Sequence, residues 1–260
     1  MSEDILSKPA PPADSRLTYG PDPYQFIDLR FPKSNKTRKA ASPLVISIHG
    51  GYWRAAYNLD HAGHLCAALT TQGLTTANLE YRRVGNDGGA WPGTFADIRS
   101  AYQFLVQHAS THKLDAARIV VMGHSAGGQL ALCLAAREPQ IQAAVSLAGV
   151  IDLQQSYALH LSSDAVVEFL GGTPSVAVDH YREADPMNLA IKSRQYLVHG
   201  SLDEIVPPSF SRDYARKKRG AKEKENVQLV EMAKAGHFEL IDPRSGAGRK
   251  VEELIVIAVK

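Results

Sequence analysis

The five residues Gly123-His124-Ser125-Ala126-Gly127 set a serine between two glycines, directly after the strand-like run Arg118–Met122 and at the opening of an apolar, helix-like segment. A hydroxyl on such a strand-to-helix turn needs a backbone so tight that its neighbours cannot carry bulky side chains, and the glycines supply that clearance. The helix N-terminus that follows brings unpaired N–H groups and the positive end of a dipole, both favourable to developing negative charge. Ser125 is therefore the candidate nucleophile for acyl transfer.

A serine hydroxyl attacks poorly until a base within hydrogen-bond reach takes its proton, and the base needs an acid to hold its tautomer. His237, in Ala235-Gly236-His237-Phe238 just beyond the strand-like run Val227–Met232, is the candidate base. Asp203, in the loop after Tyr196–His199, is the preferred acid and gives the chain order Ser, Asp, His; its rivals are the neighbouring Glu204 and Asp152, which follows the run Ala143–Ala148. His49-Gly50-Gly51-Tyr52-Trp53 follows Leu44–Ile48, and its paired glycines let the backbone turn amides inward. The N–H groups of Gly51, Tyr52 and Ala126 are accordingly assigned to an oxyanion hole, with His49 expected to brace the loop.

The elements that must position these residues are visible as short apolar runs alternating with longer helix-like segments, the pattern of parallel strands joined by crossover helices. Strands are predicted near Gln25–Phe31, Leu44–His49, Thr75–Tyr81, Arg118–Met122, Ala143–Ala148, Tyr196–His199 and Val227–Met232, the first of them antiparallel because no helix follows it. Phe95, Ile98, Ala101, Tyr102, Leu105 and Ala109 recur at helical spacing and form one apolar stripe, which must lie on the sheet. Gly127 to Arg137 is apolar on nearly every side and should be a central helix. The stretch 152–191 breaks the alternation and reads as a small cap insert. It is expected to cover Ser125 and, with Tyr52, Trp53, Trp91, Tyr157 and Phe169, to build a small, partly aromatic substrate pocket.

With 260 residues and 44% apolar composition the chain can bury one large core, and a single domain is expected over 21–260 after a flexible segment 1–20. The net charge of +2 gives no field that would favour nucleic acid. Arg216 to Glu225 is basic, but a solvated helix end and loop accounts for it better than a polyanion site. The Pro-rich start lacks the apolar run of a signal peptide, and the longest late apolar run, Leu254–Val259, is far short of the ~20 residues a membrane helix needs. Two cysteines, Cys66 and Cys133, each sit in an apolar stretch, so a disulfide framework is not expected and a reducing cytoplasm suits them. His61/His64 and His108/His112 have ligand-like spacing without a third ligand or a His-Glu-x-x-His pattern, so no metal site is expected.

His-Gly-Gly-Tyr-Trp together with Gly-His-Ser-Ala-Gly-Gly resembles the arylformamidase (kynurenine formamidase) and small-esterase branch of the α/β-hydrolase superfamily, over most of the chain from about Leu44 onward. Tyr52 stands where the lipase-type motif has a third glycine, as in arylformamidases. The resemblance implies the α/β-hydrolase fold, a mostly parallel central sheet with helices on both faces. It also implies hydrolysis of a small acyl ester or N-formyl arylamide with no cofactor. Two alternatives stay open. An exopeptidase related to prolyl oligopeptidases is disfavoured because only about 40 residues precede the oxyanion loop, too few for a gating propeller. A ligand-binding protein that keeps the fold without turnover would require a lost triad residue, and all three are present. Oligomeric state is left open.

Overall fold

The structure, a computed structural model, describes residues 4–32, 41–220 and 225–260. Its frame is one eight-stranded sheet in the order β1-β2-β4-β3-β5-β6-β7-β8. The strands are β1 Ser15–Thr18, β2 Phe26–Arg30, β3 Ser42–Ile48, β4 Thr75–Leu79, β5 Leu114–His124, β6 Ala143–Leu147, β7 Arg194–Gly200 and β8 Val227–Met232. β1 runs antiparallel to β2 and β2 to β4; every later pairing is parallel.

Alternation along the strands divides the core into two layers. Leu44, Ile46 and Ile48 of β3 and Val121 of β5 join one apolar cluster, while Val45, Val120 and Met122 join the other. The first layer is covered by α3 Gly93–Gln107, whose predicted stripe is buried, and by α5 Ala126–Arg137, in which every residue from Ala126 to Ala135 is buried. α9 Ser209–Arg219 adds Phe210 and Tyr214 to the same layer. The second layer is covered by α2 Gly63–Thr71 and α10 Gly246–Ala258, through residues such as Leu65, Leu69, Val251 and Ile255. Cys66 and Cys133 are buried free thiols, one in each layer.

The seven expected strands all form, and the first expected strand pairs antiparallel as predicted. The N-terminal segment differs from expectation. Ser15–Thr18 adds a strand against β2, and the one-turn helix α1 Asp4–Ser7 inserts Ile5 into the second layer, where it is 1% exposed. A single apolar residue, Leu17, in a short edge strand leaves too little periodicity to predict. α4 Ala109–His112 extends the α3 stripe to Ala109. Within 152–191 lie α6 Leu153–Ala158, α7 Ala165–Leu170 and α8 Val178–Ala184. In the basic stretch after α9 begins to end, Lys218 is buried against Glu225 at 3.2 Å and Arg219 donates to Val227 O at 3.0 Å; residues 221–224 of that stretch lie outside the described residues, as do 1–3 of the N-terminal segment.

Candidate active site

The parallel register aligns the C-terminal ends of β3, β5, β6, β7 and β8, with Ile48 beside Gly123, Gly123 beside Ser146 and Gly200 beside Met232. The loops leaving these ends meet along one edge of the sheet. Ser125 sits on the turn between β5 and α5 at φ 57° and ψ −121°, a conformation that costs a non-glycine residue free energy and is held here by packing. Its amide donates to Leu147 O at 2.8 Å. A Cβ on Gly123 would stand 2.0 Å from Gly127 O, and one on Gly127 would stand 2.1 Å from Ile48 O. Strand, turn and helix therefore close on each other only where both positions lack side chains.

The loops after β7 and β8 bring Asp203 and His237 together. His237 Nδ1 stands 2.7 Å from Asp203 Oδ2, and because an ionised carboxylate can only accept, Nδ1 carries the proton and Nε2 the lone pair. The other oxygen, Oδ1, accepts from the amides of Ile205 and Val206, each at 2.9 Å. His199 adds a second imidazole 3.3 Å from Oδ2 and is itself fixed by Ser211 and Val206 O. Burial alone would push the Asp203 carboxyl up; the hydrogen bonds from His199 and His237, then the His237 charge, outweigh it and hold the group well below the ordinary carboxylate range. The rivals lie elsewhere. Glu204 is exposed, and Asp152 caps α6 by accepting from the Gln155 amide at 2.9 Å.

His124, the residue before Ser125, supports the base. Its Nε2 donates to His237 O at 3.0 Å and the two rings lie 4.5 Å apart. Burial, followed by the neighbouring His237 and His61, pushes its titration well down, so His124 is neutral. Sequence reasoning passed over it as a variable position of the motif.

The loop after β3 runs through three successive left-handed residues, Gly51 at φ 110°, Tyr52 at 50° and Trp53 at 59°. Such a run turns consecutive amides to one side. Among the described residues neither the Gly51 nor the Tyr52 amide donates a main-chain bond, and Ala126, first residue of α5, has the unpaired amide of a helix start. A Cβ on Gly50 would fall 2.8 Å from His124 O and 3.0 Å from Ser125 Cβ, so this loop rests directly on the serine turn. His49 bonds Gly50 O at 2.8 Å and Glu80 at 3.1 Å, and the Tyr52 hydroxyl donates to Ile205 O at 2.9 Å, tying the loop after β3 to the loop that carries Asp203.

Ser125 and His237 line one cavity of about 330 Å³ together with Leu6, Gly51, Tyr52, Tyr57, His61, His124, Ser162, Ile205 and Phe238. The Ser125 hydroxyl makes no hydrogen bond to a described residue; such contacts commonly tighten only when substrate is bound. None of the described lining residues is Asp, Glu, Lys or Arg, and His61 is neutral near pH 7 because burial, then His49, push it down to about 3. A larger open groove of about 700 Å³ beneath residues 6–13 contains none of these catalytic candidates.

Four residues expected in the pocket are elsewhere. Trp53 is fully buried, stacked on Phe169 at 4.5 Å and donating from Nε1 to Gln129 Oε1 at 3.0 Å. Trp91 packs edge-on to Phe169 and against Phe95. Tyr157 is half-buried against the same apolar cluster. These aromatics fasten the 152–191 insert to the core, and the insert gives the cavity only Ser162. In sequence, core-facing and pocket-facing aromatics look alike, because both need only apolar area. The other paired histidines are bound locally: His64 to Lys8 O, and His108 to Phe104 O at the end of α3.

A mostly parallel sheet with helices on both faces, and a serine, an aspartate and a histidine on loops from one edge of it, have the architecture of the α/β-hydrolase fold. The chain belongs to the BD-FAE family, whose model matches residues 27–217. It is 25% identical over 93% of its length to a rice (Oryza sativa subsp. japonica) protein named "Probable isoprenylcysteine alpha-carbonyl methylesterase ICME", and spans 62% of that protein. It is 26% identical over 83% of its length to the "Probable carboxylic ester hydrolase LipM" of Mycobacterium tuberculosis, of which it spans 53%. A kynurenine formamidase of Danio rerio is 24% identical over 87% of the chain and 75% of its own length. Among solved structures, a truncated carbohydrate esterase from gut microbiota superposes with a TM-score of 0.81 at 18% identity, over 97% of this chain and 99% of that one. Esterase B from Lactobacillus rhamnosis superposes at 0.80 with 19% identity, over 99% and 90%. At these identities the structural likeness speaks to the fold. Among the described residues no helix is long and apolar enough to cross a membrane.

Proposed function

We propose that this protein is a serine hydrolase that cleaves small, neutral carboxylic esters through an acyl-enzyme. The observation that carries the reading is the 2.7 Å contact between Asp203 and His237 at a cavity that Ser125 also lines. In this reading His237 Nε2 takes the Ser125 proton as the oxygen attacks the acyl carbon. The amides of Gly51, Tyr52 and Ala126 hold the negative charge of the tetrahedral intermediate. Asp203 stabilises the imidazolium, which returns its proton to the leaving alcohol. Water, activated by the same imidazole, then releases the acid and restores Ser125. No step calls on a cofactor. The substrate is a small molecule, the cavity being too small for a polymer, and the two buried thiols suit a reducing cytoplasm.

The second reading, an N-formyl arylamide hydrolase, is favoured by the kynurenine formamidase relatives. Against it stands the lining of the cavity, which offers no charged side chain to the ammonium and carboxylate of an amino-acid substrate. Side-by-side turnover of p-nitrophenyl acetate and N-formyl-kynurenine tests this, with the neutral ester expected to react with the higher kcat/KM. Ser125→Ala should abolish both activities and covalent labelling by a fluorophosphonate, a loss on the order of 10⁶-fold in kcat as for other serine nucleophiles. A variant that kept a tenth of wild-type turnover would remove Ser125 from the mechanism, and a wild type that bound substrate analogues without labelling would be a binding protein.

A further inference from the structure

The catalytic cavity has a wall that comes from the far end of the chain. Leu6 lies 119 positions before Ser125 in sequence (125 − 6), yet lines the same cavity beside Tyr57, Ile205 and Phe238. The one-turn helix α1 that carries it is too short to hold itself together. Tertiary contacts hold it instead. Ile5 is 1% exposed and packs in the second core layer with residues such as Leu65, Leu240 and Ile241. Asp4 pairs with Arg244 at 3.4 Å, Lys8 O bonds His64 at 3.2 Å, and Pro11 O accepts from Arg30 at 2.7 Å. Pro9, Pro11 and Pro12 limit the freedom that this strap loses on docking. Adjacent residues on the turn thus have opposite duties: Ile5 anchors it in the core, and Leu6, 41% exposed, stands between the cavity and the neighbouring groove and lines both.

We propose that Leu6 is a specificity-determining residue, forming with Tyr57 and Phe238 the apolar wall that sets the size of the neutral group the site accepts. Tyr57, 49% exposed, is the other large apolar side chain left open to solvent at this mouth. The proposal rests on the ester-hydrolase reading and adds to it the element that selects among esters.

The test uses the full chain with Leu6→Ala and Leu6→Trp. The kcat/KM values are measured for p-nitrophenyl acetate, butyrate and octanoate, and for acetate esters of phenol and naphthol, with active sites counted by fluorophosphonate labelling. Leu6→Trp should lower the ratio of bulkier to smaller substrate by about tenfold in at least one series, and Leu6→Ala should move the same ratio the opposite way, a scale set by the few methylenes at issue. Ile5→Ala loosens the anchor without touching the cavity and should shift the ratio in the same direction as Leu6→Ala, which guards against misfolding of a single variant. Ratios unchanged within about twofold in all three variants, with labelling intact, overturn the role of Leu6. Failure of the wild type to label would instead overturn the hydrolase reading.

Discussion

Asp203 is held between two imidazoles and two amides, so its oxygens have no remaining freedom to choose partners. Asp203→Asn would present an N–H or a weaker acceptor to His237 and favour the wrong tautomer, and kcat should fall by on the order of 10⁴, against little change for Asp152→Asn, which removes only a helix cap. Steady-state kinetics on the two variants decide this, and the reverse ranking would move the acid to the loop after β6. Candidates for the acid, the base and the nucleophile could be named from the sequence because chemistry restricts each to few residue types and the fold restricts their order. Leu6, His61, His124 and Ile205 were not legible, since a cavity wall needs only shape and apolarity, which many residues supply. Phe238 stood beside a flagged histidine, and only the structure turned it toward the cavity.

At the level of elements, the strands were readable because fully buried parallel strands are short continuous apolar runs. The connection between insert and core was less so, because beside the aromatic stacking it runs through polar atoms: Gln129, the one polar residue inside the α5 face, bonds Trp53 and Ala184 O at 3.0 and 2.7 Å. A buried carboxyl within the insert gives a pH signature. Asp185 precedes the turn Pro186–Asn188 and accepts from the Met187 amide at 3.0 Å; burial pushes it up to about 7, although the amides of Met187 and Leu153 oppose the shift. A carboxyl whose folded value lies above its unfolded value near 3.9 retains a proton that the unfolded chain has lost. Its stabilising effect is therefore full below pH ~4, declines as pH rises toward 7 and levels off above it. Asp185→Asn keeps an acceptor oxygen and cannot ionise. Urea unfolding at pH 5 and pH 8 should show the wild type losing stability relative to this variant at the higher pH. A difference that stays constant between the two would mean that Asp185 is ionised at both.

For the molecule as a whole, the cavity of about 330 Å³ has its walls from the N-terminal strap and the loops after β3, β5, β7 and β8, with one serine from the insert. Such an enclosure has room for a short acyl group, and each methylene left outside forgoes ~0.8 kcal/mol of burial. The kcat/KM should fall steeply from two- and four-carbon to twelve-carbon p-nitrophenyl esters; equal values at the two ends would show that the walls open. The overall architecture was legible from the alternation of runs. What closes the site was not, because the insert that interrupts the pattern is mostly structural, and the strap that matters is four residues of helix before a run of prolines.

The candidate base hangs from β8, the last strand of the sheet, paired only to β7 and buried at Val227 alone, whereas the inner strand β6 is buried at every position. Edges of a sheet open at lower free energy than its centre. The reaction should therefore be the first property lost on the way to unfolding: in a urea titration, ester hydrolysis should disappear at a lower concentration than the fluorescence of Trp53 and Trp91, which report the centre. Coincident midpoints would mean that the edge and the centre melt as a single cooperative unit.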